Sequence, residues 1–132
     1  MKNLAKIMLV DDSEEFLFIY SEILKGEGFE VSVSQNGSKA LEIMDSVNPD
    51  LLISDLQMPN MNGWEFIRAV KSKQVYRSLP IIVSSSELDV EESSRALGAN
   101  AYCNKDAAFT TFVRLVNDVL AQSVAGPLPE QG

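Results

Sequence analysis

Apolar runs alternate with stretches of helical periodicity along the chain. Ala5–Val10 predicts a buried strand, and Phe16, Ile19, Tyr20, Ile23 and Leu24 follow at helical spacing. Gly26 and Gly28 stop that helix. Phe29–Ser34 alternates Val31 and Val33 with polar residues and predicts a second strand. Asn36-Gly37 is a turn signal. Ala40, Leu41, Met44 and Val47 then mark a second helix that stops before Pro49. Leu51–Ser54 is a short apolar strand running into Asp55, and Gln57–Asn62 is a loop. Trp64, Ile67 and Val70 share one side of a third helix opened by Gly63. Pro80 introduces a strand over Ile81–Ser84. Val90 and Leu97 belong to a fourth helix closed by Gly98, and Ala101–Asn104 is a shorter, more polar strand. Phe109, Phe112, Val113, Val116, Val119 and Leu120 give an amphipathic fifth helix.

Five strand–helix pairs in alternation predict an α/β fold: a doubly wound parallel sheet with helices on both faces. Each helix supplies the right-handed crossover that parallel neighbours need. In such sheets ligands bind beyond the carboxyl ends of the strands, at a switch in strand order. The 132 residues make one domain, expected over 1–122. Residues 123–132, with Gly126-Pro127-Leu128-Pro129, read as a flexible tail or the start of a linker.

Composition narrows the partners. With 45% hydrophobic and 23% charged residues the chain can build a core. The net charge of −8 disfavours direct contact with nucleic acid or an anionic membrane surface. There is no histidine, so histidine acid–base chemistry and histidine metal sites are excluded. Cys103 stands alone, suiting a buried position in a reducing compartment. The apolar run Ile7–Val10 is too short for a signal peptide or a membrane span, and a cytoplasmic location is expected.

The chemistry gathers after the strands. Asp11-Asp12 follow the first, Asp55 the third, Ser84-Ser85-Ser86 the fourth and Lys105 the fifth. In a parallel sheet these positions emerge on one rim. Converging carboxylates repel unless a proton or a cation sits among them. All-oxygen ligands suit Mg²⁺ or Mn²⁺. A cation leaves Asp55 as a possible nucleophile, while a lysine ammonium and a serine hydroxyl are suited to a tetrahedral oxyanion. The set describes phosphoryl transfer to a carboxylate.

At these residues the chain resembles the receiver domain of response regulators, from about Lys6 to Ala121. The likeness is carried by Asp11-Asp12, by Asp55-Leu56-Gln57-Met58-Pro59 with Gly63, and by Pro80-Ile81-Ile82 leading to Ser85. Gly98-Ala99 and Tyr102 three residues before Lys105 complete it. It implies a flavodoxin-like sheet with strand order 2-1-3-4-5. It implies Asp55 as phosphoacceptor, Asp12 as a metal ligand, Asp11 as a direct or water-mediated one, and the Gln57 carbonyl as a further ligand. Lys105 is implied to pair with the phosphoryl oxygens, Ser85 to be the switch hydroxyl and Tyr102 the aromatic that turns inward. Gln57 and Glu87 border the site. The donor implied is phosphohistidine on a sensor histidine kinase or a phosphotransfer protein, as in a phosphorelay, with an unknown downstream protein as output. Such a domain catalyses only its own phosphorylation and dephosphorylation.

Blander readings stand beside these. Asp11-Asp12-Ser13 also reads as an N-cap with Glu14 and Glu15 in the first turn. Tyr102 also reads as a half-buried strand tyrosine, and Phe16, Phe66, Phe109 and Phe112 as core. The family usually places proline after the site lysine, often through a cis bond; here Asp106 follows Lys105. A non-proline cis bond costs about 3 kcal/mol, so a trans bond is expected, with Asp106 as a candidate cap of the fifth helix. The competing functions are a degenerate receiver that binds partners without phosphorylation, a haloacid-dehalogenase-type phosphatase and a flavodoxin-like mononucleotide binder. The phosphatase wants an Asp-x-Asp motif after strand one and a cap domain; the mononucleotide binder wants an uncharged phosphate loop there.

Overall fold

The computed structural model describes residues 5–56, 58, 62–86, 95 and 98–125, with side chains through 122. The elements in chain order are β1 (Lys6–Val10), α1 (Glu14–Gly26), β2 (Glu30–Ser34), α2 (Gly37–Val47), β3 (Leu51–Asp55) and α3 (Gly63–Ser72). A short 3₁₀ turn (Gln74–Tyr76), β4 (Ile81–Ser85), β5 (Ala101–Asn104) and α4 (Phe109–Ala125) complete them. Here α4 is the fifth helix of the sequence pattern. The predicted fourth helix, with Val90 and Leu97, falls outside the described residues.

The five strands form one parallel sheet in the order β2-β1-β3-β4-β5. Successive strand residues face opposite sides, and the two sides carry separate cores. Met8, Val10, Leu52, Ile81 and Val83 pack under α2 and α3, with Phe66 and Met44 at the centre. Ile7, Leu9, Leu51, Ile53, Ile82 and Cys103 pack under α1 and α4, with Leu17, Leu24, Phe112 and Val116. Strands buried on both faces have no polar alternation, which is why β1, β3 and β4 read as continuous apolar runs.

Local chemistry sets the helix ends. Ser13 caps α1, its Oγ accepting the Phe16 N–H at 3.1 Å, with Glu14 and Glu15 in the first turn. Gly28, at φ +98°, supplies the left-handed residue that turns the chain into β2. The Asn36-Gly37 turn signal is in fact a helix start: Asn36 Oδ1 accepts the Lys39 N–H at 2.8 Å and caps α2. Two strands run one residue further than their apolar pattern. β3 includes Asp55, and β4 includes Ser85. Phe109 departs from the core expectation; it is 52% exposed in the first turn of α4, whereas Phe66 and Phe112 are fully buried. Among the described residues, no helix is long and apolar enough to cross a membrane.

Candidate metal and phosphoryl site

Strand parity brings the site together. Asp55 continues the series Leu51, Ile53; Asp11 continues Ile7, Leu9; Lys105 follows Cys103 by two. By the two-residue repeat all three turn toward the α1 and α4 face at the carboxyl ends of their strands. β1 and β3 are paired neighbours, so Asp11 and Asp55 meet across that seam. Carboxylate oxygens of Asp11, Asp12 and Asp55 lie within 4.8 Å of one another.

Each acid has a distinct setting. Asp11 is fully buried; its N–H donates to Ser34 O at 3.1 Å and its Oδ1 accepts the Ser13 N–H at 2.9 Å. Asp55 is buried, and its Oδ1 accepts the Leu56 N–H at 2.7 Å. Asp12 is exposed and keeps the cluster open to water. Ser13, the last residue of Asp11-Asp12-Ser13, is the one that caps α1, so the capping role and the acidic cluster coexist.

Lys105 closes the site from the β5 side. Its Nζ lies 2.6 Å from Asp11 Oδ2 and 3.3 Å from Asp55 Oδ2. That contact compensates the charge of a buried carboxylate oxygen that has no other partner among the described residues. Burial pushes the Asp11 carboxyl above its usual range, and Lys105 only partly offsets this. Burial by itself would lower Lys105, but Asp11 and Asp55 outweigh it and raise the ammonium. The site thus holds more negative charge than one lysine neutralises.

The strand register separates the serines. Ser84 pairs with Cys103 on the α1 face; Ser85 shares the parity of Val83 and faces the α2 and α3 side. Tyr102 packs on that same side, so Ser85 and Tyr102 share a face at the end of β4 and β5. Ser85 and Ser84 are buried and Ser86 is exposed. Gly63 sits against the end of β3: a Cβ there would overlap Asp55 O and Leu56 Cα, and its N–H donates to Leu56 O at 2.8 Å. Only glycine allows α3 to start that close to Asp55.

Asp106 does not cap α4; the helix begins at Phe109, with Ala108 O accepting the Phe112 N–H at 3.1 Å. Instead Asn104 Oδ1 captures the Asp106 N–H at 2.7 Å, an Asx turn. No cis peptide occurs among the described residues. Gln57 and Glu87 fall outside the described residues. Two residues taken only as helix-face or core positions do touch the site. The Phe16 ring lies 4.5 Å from Lys105 Nζ, and Tyr20 Oη donates to Lys105 O over a long 3.4 Å. Their i, i+4 spacing puts both on one side of α1.

Comparison with known proteins decides the family. Residues 7–117 match the family described as the response regulator receiver domain. The chain belongs to that family. The receiver is 26% identical over 119 residues to the polar-differentiation response regulator DivK of Brucella anthropi, covering 89% of this chain and 97% of DivK. It is 29% identical over 115 residues to the DNA-binding transcriptional regulator NtrC of Escherichia coli, spanning 87% of this chain but 24% of NtrC. Among solved structures, the Vibrio cholerae chemotaxis protein CheY4 shares 31% identity at a TM-score of 0.83, over 89% of this chain and 99% of that one. The protein is thus a receiver domain of two-component signalling with the flavodoxin-like order 2-1-3-4-5, and its acidic pocket is suited to a metal ion.

Proposed function

We propose that this receiver takes a phosphoryl group from phosphohistidine, on a sensor kinase or a phosphotransfer protein, onto Asp55 in the presence of Mg²⁺ or Mn²⁺. One observation carries the reading: three carboxylates crowd at the β1–β3 seam with a single lysine between two of them. An uncompensated set of this kind fits a hard divalent cation held by oxygen. Asp11, Asp12, Asp55 and the Gln57 carbonyl would hold it. Bound there, the cation would neutralise charge on the phosphoryl group in transfer.

The chain's own residues do the rest. Asp55 Oδ2 attacks phosphorus, the P–O bond forms, and the P–N bond of the donor breaks with its electron pair leaving on the imidazole. Lys105, already beside Asp55, shifts to the phosphoryl oxygens. Ser85, one residue beyond the Ser84 that pairs with Asp55, turns its hydroxyl from the α2 and α3 side around the strand end to the new group, and Tyr102 follows into the space it leaves. That movement remodels the surface read by a downstream protein. The reading takes residues 1–122 as the receiver unit and 123–132 as a tail or linker, and assigns the protein to the cytoplasm. It makes the protein a catalyst of its own phosphorylation and dephosphorylation only.

The test is intact mass after incubation with acetyl phosphate and Mg²⁺. A single phosphate adduct is expected, absent in Asp55→Asn and absent without metal. No adduct with any donor would favour a receiver that binds partners without phosphorylation. Steady hydrolysis of phosphate esters would favour a phosphatase.

A further inference from the structure

The loop that carries Lys105 has no proline to shape it. Asp106 stands next, and the Asx turn from Asn104 holds only the backbone after the lysine. The lysine side chain is a flexible four-carbon stem ending in a strongly hydrated charge. Asp11 and Asp55 attract that charge, and a further contact is needed only to fix its direction.

α1 supplies that support at both ends of the residue. Tyr20 Oη reaches the Lys105 carbonyl, and the Phe16 ring face lies 4.5 Å from the ammonium. Phe16 and Tyr20 stack on each other at 4.0 Å with an interplanar angle of 24°. Tyr20 in turn meets Phe112 edge-on at 4.7 Å and Phe109 edge-on at 5.6 Å. The four rings form a continuous aromatic wall from the site to the start of α4. The ammonium is therefore set between two carboxylates and a ring face, with the Lys105 side chain only 18% exposed. A ring face attracts a cation electrostatically and gives water no hydrogen-bonding partner there.

We propose that Phe16, braced by Tyr20, is a positioning residue that holds the Lys105 ammonium at Asp55 for phosphoryl transfer. The inference rests on the proposed role of Lys105 in binding the phosphoryl group. Phe16 acts through the lysine, whose ammonium its ring faces. Its contribution is electrostatic and directional, so an aliphatic side chain of similar bulk does not replace it.

The experiment uses the full chain and three substitutions: Phe16→Leu, Phe16→Tyr and Tyr20→Phe. The rate constant for Asp55 phosphorylation by acetyl phosphate at saturating Mg²⁺ is expected to fall about three- to thirtyfold in Phe16→Leu, the range of one partly desolvated cation–π contact. Phe16→Tyr keeps the ring and is expected to restore the rate to within about twofold. Tyr20→Phe keeps the stack but loses the carbonyl contact, and a smaller fall is expected. A second readout needs no activity. In wild type the Lys105 ε-methylene protons are expected upfield by the ring current of Phe16; the shift is lost in Phe16→Leu and kept in Phe16→Tyr. Wild-type rate in Phe16→Leu, equal slowing in Phe16→Leu and Phe16→Tyr, or unshifted Lys105 protons in wild type would each overturn the proposal. If the wild-type protein takes no phosphoryl group, the proposed function fails, and the ring-current measurement still decides whether Phe16 holds the lysine. If Phe16→Leu does not fold, wild type and Phe16→Tyr carry the same decision.

Discussion

Asp11 and Asp55 are placed by β1 and β3, central strands buried on both faces and paired along their length. Lys105 is placed differently, one residue past the edge strand β5, on a loop tied to β4 by its N–H to Ser85 O at 2.9 Å and to α1 by aromatic rings. Asp11 and Asp55 of the acidic half are held by the buried core. The basic half depends on a few side-chain contacts. Under the proposed function this division leaves the negative charge in the core and puts the lysine at the edge of the sheet. The strand at the basic side is also the short, partly exposed one.

The largest expected effect comes from removing the basic half. Lys105→Met should slow Asp55 phosphorylation about 10²–10³-fold, the usual loss for one oxyanion donor. Without metal it should also destabilise the fold by about 3 kcal/mol, because Asp11 stays buried with no compensating charge. Urea unfolding at neutral pH measures this. The loss should shrink as pH falls, since Asp11 then takes a proton.

The next contrast is between two glycines. Gly63→Ala pushes directly on the backbone of Asp55 and Leu56 and should cost about 1–3 kcal/mol, with a parallel loss of phosphorylation. A Cβ at Gly26 meets nothing within 4 Å, so Gly26→Ala should be neutral or stabilise by up to about 1 kcal/mol. Equal effects in thermal melts would mean that α3 does not press on the end of β3.

Neutralising the acidic half should work in the opposite direction to removing the lysine. Asp11 holds its proton more tightly in the fold than when unfolded, where its value is 3.8. Its ionisation therefore opposes folding above that pH, and the penalty is relieved as pH falls through the raised folded value. Asp11→Asn should stabilise the metal-free protein at neutral pH, because burial disfavours the ionised carboxylate. Mg²⁺ at tenfold over its Kd should add ~1.4 kcal/mol to wild type and almost nothing to the variant. A variant that is less stable without metal, or still stabilised by Mg²⁺, would contradict this.

The smallest effects on stability should separate the two serines. Ser85→Ala should still accept phosphate but leave the Tyr102 ring resonances unmoved on phosphorylation. Ser84→Ala, on the other face of β4, should leave that response intact. NMR of phosphorylated samples reads both.

The acidic half was also the more legible one. Continuous apolar runs reveal β1, β3 and β4, and the acids Asp11 after β1 and Asp55 at the end of β3 follow in the same parity, so their convergence is legible in the sequence. Strand order came through family resemblance, because periodicity alone does not rank neighbours. The basic half was not legible to the same degree. Phe16, Ile19, Tyr20, Ile23 and Leu24 share helical spacing, yet only the fold shows that Phe16 and Tyr20 reach Lys105 while Ile19 is 36% exposed. Phe109 looked like core because its spacing matches Phe112 and Val113. It lies in the first turn of α4, where only the edge of Tyr20 meets it closely among the aromatic rings. Asp106 looked like a helix cap, but Asn104 takes its N–H first and the helix starts later.

Crystals soaked in Mn²⁺ and measured at an anomalous wavelength test the shared foundation of these statements. One strong peak is expected within coordination distance of Asp11, Asp12 and Asp55, with Lys105 still beside Asp55. A peak elsewhere on the molecule, or none at millimolar Mn²⁺, would contradict a cation-dependent phosphoacceptor at the β1–β3 seam.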